Sequence, residues 1–259
     1  MIKNLGLQLY TVRDYLKDPE FADLTFQKLR DLGYTEVQTA GTEFDERLFG
    51  ELLKKNGLSV VGTHVSFRKV KDEQEKMLEL HKAWGTTNIG IGSMPSDARR
   101  DLATLKEFIA DFNRAAQFYA KHGMKLTYHH HNFEFLRIDG TKTIMDLFCE
   151  EFDPATTSFV LDTCWITAGG GEVVDWMERL AGRLDILHLK DTYLAEVEPK
   201  KYEHKICEVG QGSVAWDKVM DTAEKIGVKY YVVEQDNNFT KTPFESLRMS
   251  AEFLKKYRA

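Results

Sequence analysis

An α/β protein, a single (β/α)8 TIM barrel over residues 1–259, is what the sequence predicts, and three observations carry the prediction. A helical pattern closed by glycine and followed by a short apolar strand recurs along the chain. Polar residues gather at the carboxyl ends of nearly all the strands. No GxGxxG or P-loop sequence follows the first strand, which discounts the rival open, doubly wound sheet.

The junctions can be taken in order. Leu32-Gly33-Tyr34, Asn56-Gly57-Leu58, Trp84-Gly85-Thr86, His122-Gly123-Met124, Ala181-Gly182-Arg183 and Ile226-Gly227-Val228 each place a glycine where a helix must end in a left-handed residue before a strand begins. Asp153-Pro154 makes a seventh junction, because proline stops the preceding helix before the strand 157–162. The opening strand, Leu5 to Tyr10, brings the count to eight strands alternating with eight helical patterns. Such alternation implies a parallel sheet with right-handed crossovers, and eight repeats close into a barrel.

Side-chain alternation assigns the faces. Leu5, Leu7 and Leu9 take the helix-facing side of the first strand, leaving Gly6, Gln8 and Tyr10 for the lumen, and Ile186, His188 and Lys190 face inward on the seventh. The apolar residues Leu102, Leu105, Phe108, Ile109, Phe112, Ala116 and Phe118 to Tyr119 recur at helical spacing and read as core. Segments 66–72, 93–97 and the longest, 191–213, read as loops of the catalytic rim, candidates for lids and specificity walls.

Composition bounds the function. With 42% hydrophobic residues, 12% aromatics and a formal charge of -6, the chain is an ordinary globular one without the basic face that nucleic acid demands. Cys149, Cys164 and Cys207 form neither a CxxC pair nor a disulfide framework, which points to a reducing, cytoplasmic setting. The amino terminus lacks a signal-peptide pattern and no apolar run reaches membrane-spanning length, so no membrane association is expected.

The candidate chemistry centres on residues 125–134, KLTYHHHNFE. Extended backbone puts His129 and His131 on one face with Lys125 and Thr127, while His130 points the other way. Glu134 follows in the next loop, and later strands end at Asp162, His188 and Glu234. Three carboxylates and an imidazole delivered from separate strand ends suit a divalent ion, and Glu134, Asp162, His188 and Glu234 are the expected ligands. The mix favours Mn, Mg, Co or Fe over a cysteine-bound structural zinc; Mn leads, and a zinc ion held without cysteines stays on the list. Such an ion would grip two neighbouring oxygens of a sugar and favour proton loss beside a carbonyl. Candidates for the acid and base are His129, His131, Glu134 and Glu234, with Lys190 or His64 stabilising an oxyanion.

Several runs resemble the sugar phosphate isomerase/epimerase family of the xylose isomerase-like TIM barrel superfamily: residues 5–14 (LGLQLYTVRD), 128–135 (YHHHNFEF), 161–165 (LDTCW), 187–191 (LHLKD), 208–212 (EVGQG) and 233–236 (VEQD). The resemblance spans essentially the whole chain. It implies a metal site from Glu134, Asp162, His188 and Glu234, and substrate contacts from the His129 and His131 region and Lys190, to which Gln8, His64 and Trp165 on the same rim are added. Two departures stand out. Several relatives carry a Glu within the fifth strand where this chain has His129, and many carry a Glu where Gln211 stands.

The expectation is therefore a metal-dependent sugar isomerase or epimerase working through an enediolate on a small sugar or keto-sugar. The same enolate chemistry would serve a dehydratase or 3-keto-glycoside lyase, like the inosose dehydratases of the superfamily. A non-catalytic sugar-binding protein or subunit is the alternative of another class. A DNA-repair endonuclease is disfavoured by the net charge. The sequence leaves oligomeric state open, rim loops being where relatives often meet a second copy in a homo-oligomer.

Overall fold

The computed structural model describes residues 1–258. Its order of elements is strand β1 (Leu5–Gln8), helix α1 (Pro19–Asp31), β2 (Glu36–Thr39), α2 (Glu46–Lys55), β3 (Ser59–Thr63), α3 (Phe67–Asp72), α4 (Gln74–Trp84), β4 (Asn88–Ile91), α5 (Leu102–Ala120), β5 (Lys125–His129), α6 (Ile144–Glu151) and β6 (Thr157–Asp162). Then come α7 (Thr163–Ala168), α8 (Val173–Arg179), β7 (Leu184–Leu189), β8 (Asp191–Glu198), β9 (Lys201–Cys207), α9 (Trp216–Ile226), β10 (Tyr230–Val233) and α10 (Pro243–Leu254). Eight strands form one parallel sheet in the order β3-β2-β1-β10-β7-β6-β5-β4. A parallel bridge between Val65 and Ile91, with Val65 N–H donating to the Gly90 carbonyl at 2.9 Å, joins its two ends into a barrel.

The six glycines expected to end helices all lie at positive φ, from 67° at Gly57 to 90° at Gly33. Three expectations need correction. Tyr10 does not continue the first strand: the chain turns at Leu9 into a 3-10 helix reaching Tyr15, because the Gln8 side chain accepts the Tyr10 N–H and caps that helix. The segment 66–72 contains helix α3, capped by Ser66. The expected long loop 191–213 is mostly an antiparallel hairpin, β8–β9, lying outside the barrel sheet.

Asp191 anchors that hairpin. Its buried carboxylate accepts from the backbone N–H of Gly210, Gly212 and Val214 and from the Trp216 indole. Gln211 therefore belongs to a turn strapped to the hairpin root. Outside the barrel wall, α5 packs Phe108 and Phe112 against Tyr128, Phe148 and Phe152, with Phe112 and Phe152 stacked at 4.2 Å. Leu102, expected in this core, is 36% exposed.

Inside the barrel, Val61, Val160, Ile186 and Val232 form a separate apolar cluster. Val160, Ile186 and Val232 stand two residues before Asp162, His188 and Glu234, so strand periodicity puts each polar side chain directly above an apolar one. The lumen is plugged by this layer and polar above it.

Candidate metal centre and its cavity

His129, Asp162, His188 and Glu234, all buried, each offer a ligand atom, and these atoms lie within 4.8 Å of one another. His129 Nε2 is 3.5 Å from Asp162 Oδ2 and 3.9 Å from Glu234 Oε2; His188 Nδ1 is 3.6 Å and 3.0 Å from the same two oxygens. Backbone geometry aims each of them. Asp162 ends β6 and caps α7, spending Oδ1 on the Trp165 N–H at 3.0 Å and leaving Oδ2 for the cluster. His129 Nδ1 meets the Gly92 carbonyl at 3.0 Å. A carbonyl only accepts, so Nδ1 carries the proton and Nε2 turns its lone pair inward.

Burial without partners tests the fit of an ion. His129 Nε2 and Asp162 Oδ2 are inaccessible, lack any hydrogen bond and converge on the same region. Buried polar atoms are normally satisfied, and a divalent cation accepts lone pairs from all four groups. Two imidazoles and two carboxylates, without thiolate, match a labile or catalytic site for a first-row divalent metal.

Glu134 is not part of this group. Its carboxylate accepts from Tyr128 Oη–H at 2.5 Å and from the His131 N–H at 2.8 Å, and it is fully buried. The fourth ligand atom offered to the cluster comes instead from His129, which the sequence suggests for acid–base work and substrate contact. Burial pushes the Glu134 carboxyl up to about 7, against the lowering effect of those two hydrogen bonds.

Lys190 lies beside the cluster, 1% exposed, with its ammonium 3.6 Å from Asp162, 3.1 Å from Glu234 and 2.7 Å from Asp236. Burial would lower its pKa, but the three carboxylates outweigh that and hold it charged. Burial likewise opposes ionisation of Asp162 and Glu234, and the neighbouring Lys190 and His188 overcome it. Without an ion, His188 is held up to about 9: burial works against its charge, Glu234 and Asp162 for it. Asp236, which the sequence reading passed over, is raised by burial and by the Glu234 charge. It follows Glu234 by two residues, the one signal that could have flagged it.

His129, Lys190, Glu234 and Asp236 line a cavity of about 480 Å3 together with Tyr10, His64, Ser93 and His131. Burial, and after it the neighbouring imidazole of His129 and the Lys190 ammonium, push His131 down to about 3, so it is a neutral imidazole, and its Nδ1 has no partner. Phe133 stacks on it at 5.3 Å and Trp165 tilts over it at 5.4 Å. Trp165 also carries Lys190 over its ring at 4.6 Å. His130 faces away, accepting the Asp162 N–H. Gln8 stands behind the cavity wall, bonded to Gln38 and His64. Of the residues expected at this site, Glu134 is turned elsewhere, and Gln8, expected to touch substrate, is fully buried behind the wall and reaches the cavity only through His64.

Among the described residues no helix is long and apolar enough to cross a membrane. A family model described as xylose isomerase-like TIM barrel matches residues 26–257. An inosose dehydratase of Mesomycoplasma hyopneumoniae is 26% identical over 190 residues, which span 65% of this chain and 62% of that protein. A sugar phosphate isomerase/epimerase structure from Parabacteroides distasonis superposes with a TM-score of 0.78 at 25% identity, covering 97% of this chain and 93% of that one. D-allulose 3-epimerase from Methylomonas sp., solved with D-allulose, shares the fold with a TM-score of 0.71 at 14% identity, covering 98% and 97%.

Proposed function

Since this chain belongs to the xylose isomerase-like TIM barrel family, we propose that it is a metal-dependent enzyme that takes a proton from the carbon beside a sugar carbonyl and returns it elsewhere, as an isomerase or epimerase working through an enediolate. The observation that carries this reading is the buried quartet with two unpartnered ligand atoms.

His129, Asp162, His188 and Glu234 would hold the ion. Bound there, it supplies Lewis-acid polarisation of the substrate oxygens. Manganese remains the first expectation, and His129 in place of a carboxylate shifts the balance further from magnesium. His131 is the general base, being neutral, without a partner at Nδ1 and part of the cavity lining. Lys190 orients the substrate oxygens and offsets the charge that develops on them. Asp236, with its raised pKa, is a reservoir for returning the proton. Phe133 and Trp165 clamp the His131 ring, which keeps the base in one orientation. Glu134, tied to Tyr128, has no part in proton transfer.

A second reading has its own support. Where several relatives have a fifth-strand carboxylate this chain has His129, so the site holds fewer carboxylates to serve a second face of the substrate. A single histidine base suits an elimination that expels a β-leaving group, the reaction type of the inosose dehydratase to which the chain is similar.

Incubating the manganese-loaded protein with a panel of keto-sugars in deuterated water decides between them. Deuterium at the carbon beside the carbonyl with every oxygen retained is the expected result. Loss of water or of an aglycone selects the elimination, and absence of exchange across the panel overturns both.

A further inference from the structure

We infer that Gln8 and Gln38 form a pair of positioning residues that dictate where the protons sit on His64 and His188, so that His64 keeps its proton on Nε2 in the cavity wall and His188 commits Nε2–H to Gln38 and leaves Nδ1 for the metal quartet. The His188 half rests on the metal reading above; the His64 half does not.

The assignment runs outward from one backbone group. The Tyr10 N–H can only donate, so the Gln8 atom it meets at 3.1 Å is the carbonyl oxygen Oε1. The other end of the Gln8 amide is then the NH2 group. It has two hydrogens and two neighbours, Gln38 Oε1 at 3.0 Å and His64 Nδ1 at 3.1 Å. Both must accept.

Each acceptance has a consequence. A His64 ring whose Nδ1 accepts a hydrogen bond is a neutral imidazole with its proton on Nε2. That Nε2 is inaccessible to water and unpartnered, on a residue that lines the cavity. His64 therefore keeps one unspent N–H donor, shielded from water, within the wall of the cavity. Gln38 Oε1, already accepting from Gln8, has a second lone pair, and His188 Nε2 lies 2.5 Å away. The shared oxygen requires His188 Nε2 to be the donor, so Nδ1, which meets Glu234 Oε2 at 3.0 Å and carries a proton while no ion is bound, is the nitrogen that would give up its proton to a metal. One amide thus sets the polarity of two imidazoles on different strands.

Nothing in the packing demands this. Both glutamines are fully buried, where an apolar side chain of similar size would fill the same space without needing partners. Outer groups that fix the tautomer of a metal-binding histidine typically change metal affinity about 10–100-fold.

Protein labelled with 15N-histidine provides the test, read by long-range proton–nitrogen correlation at neutral pH. In the unmodified protein His64 should carry its proton on Nε2. Gln8→Glu keeps the side-chain volume and the acceptor for Tyr10 but offers His64 a carboxylate, and should move the proton to Nδ1. Gln8→Met should leave a mixture. A His64 protonated on Nδ1 in the unmodified protein, or unmoved by Gln8→Glu in a variant whose circular dichroism matches the parent, overturns this half. For His188, titration calorimetry with Mn2+ alone should show about 10–100-fold weaker binding in Gln38→Met. Unchanged affinity overturns the second half. A parent protein that binds no Mn2+ overturns it together with the metal reading, while the His64 result stands on its own.

Discussion

Tyr128 and Glu134 are joined by a hydrogen bond of 2.5 Å within the barrel wall, and this contact keeps Glu134 out of the metal quartet. Tyr128 alternates with His129 on β5, so it faces the helices, and Glu134 folds back to it from the following turn.

The raised pKa of Glu134 makes a pH test. Its ordinary value of 4.5 applies to the unfolded chain, whereas burial lifts the folded value to about 7. Between those values the folded protein binds more protons than the unfolded one, so this group's stabilisation is complete below 4.5 and lost as pH rises through 7. A shift of this size corresponds to about 3 kcal/mol. Urea unfolding across pH 4.5–7.5 should show parent stability falling relative to Glu134→Gln as pH rises. Parallel curves would mean that Glu134 is not strained by burial.

Gly90 stands where the barrel closes. A Cβ there would lie 2.0 Å from the Thr63 carbonyl oxygen and 2.9 Å from Thr127 Oγ1. The first of these is backbone of the adjoining strand β3 and cannot swing aside. Gly90→Ala should cost about 3 kcal/mol, the upper range for overpacking. Gly85, at φ 72° with open space around its Cβ position, is the control. Gly85→Ala should cost only about 1–2 kcal/mol, the left-handed penalty for a side chain. Urea midpoints of the two variants make the comparison.

Much of this was legible in the sequence because local signals and global fold agree. The glycine after each of six helices has a backbone meaning that no packing could override, and Asp162, His188 and Glu234 sit at lumen-facing strand ends. Glu134 misled because it lies three residues past the histidine run, in a turn whose path alternation does not govern. His129 was the better ligand on the same rule that placed His188, the last inward-facing side chain of its strand. Gln38 is legible as a polar residue ending the second strand on the rim, but its role beside His188 is not, because an amide names no partner until its neighbours are known. The hairpin β8–β9 was missed because its charged residues, Glu196, Lys201, Glu203 and Lys205, hide its alternation.

On the proposed reading of a sugar substrate, the charges around the cavity should favour an uncharged sugar over a phosphate ester. Lys190 is the one ammonium on its lining, and Asp162, Glu234 and Asp236 already surround it. At the rim, Arg13 is tied through Nη1 to the carbonyls of Tyr10 and Asp236 and stacked on the Tyr10 ring at 4.1 Å. A phosphate entering here would meet carboxylates before any free cation. For whichever keto-sugar exchanges in deuterated water, its phosphate ester should show a KM at least ~10-fold higher, about 1.4 kcal/mol of weaker binding. Equal or tighter use of the ester would sink this expectation.

Asp162 separates metal binding from folding, because its two oxygens have different duties. Oδ1 caps α7 through the Trp165 N–H, a contact whose loss costs about 1 kcal/mol, while Oδ2 faces the quartet without a hydrogen bond, 3.6 Å from the Lys190 ammonium. Asp162→Asn can keep the cap with its carbonyl oxygen and present an amide nitrogen, a poor ligand, to the cluster. Asp162→Ala loses both. Both variants should therefore lose bound manganese and solvent exchange together, but only the alanine variant should lose thermal stability in chelated buffer, where neither holds an ion. Metal analysis, exchange rate and melting temperature, measured on the same preparations, check the separation. An asparagine variant that retains manganese at parent levels would remove Asp162 from the ligand set, and one that loses manganese yet keeps exchanging would take the ion out of the chemistry.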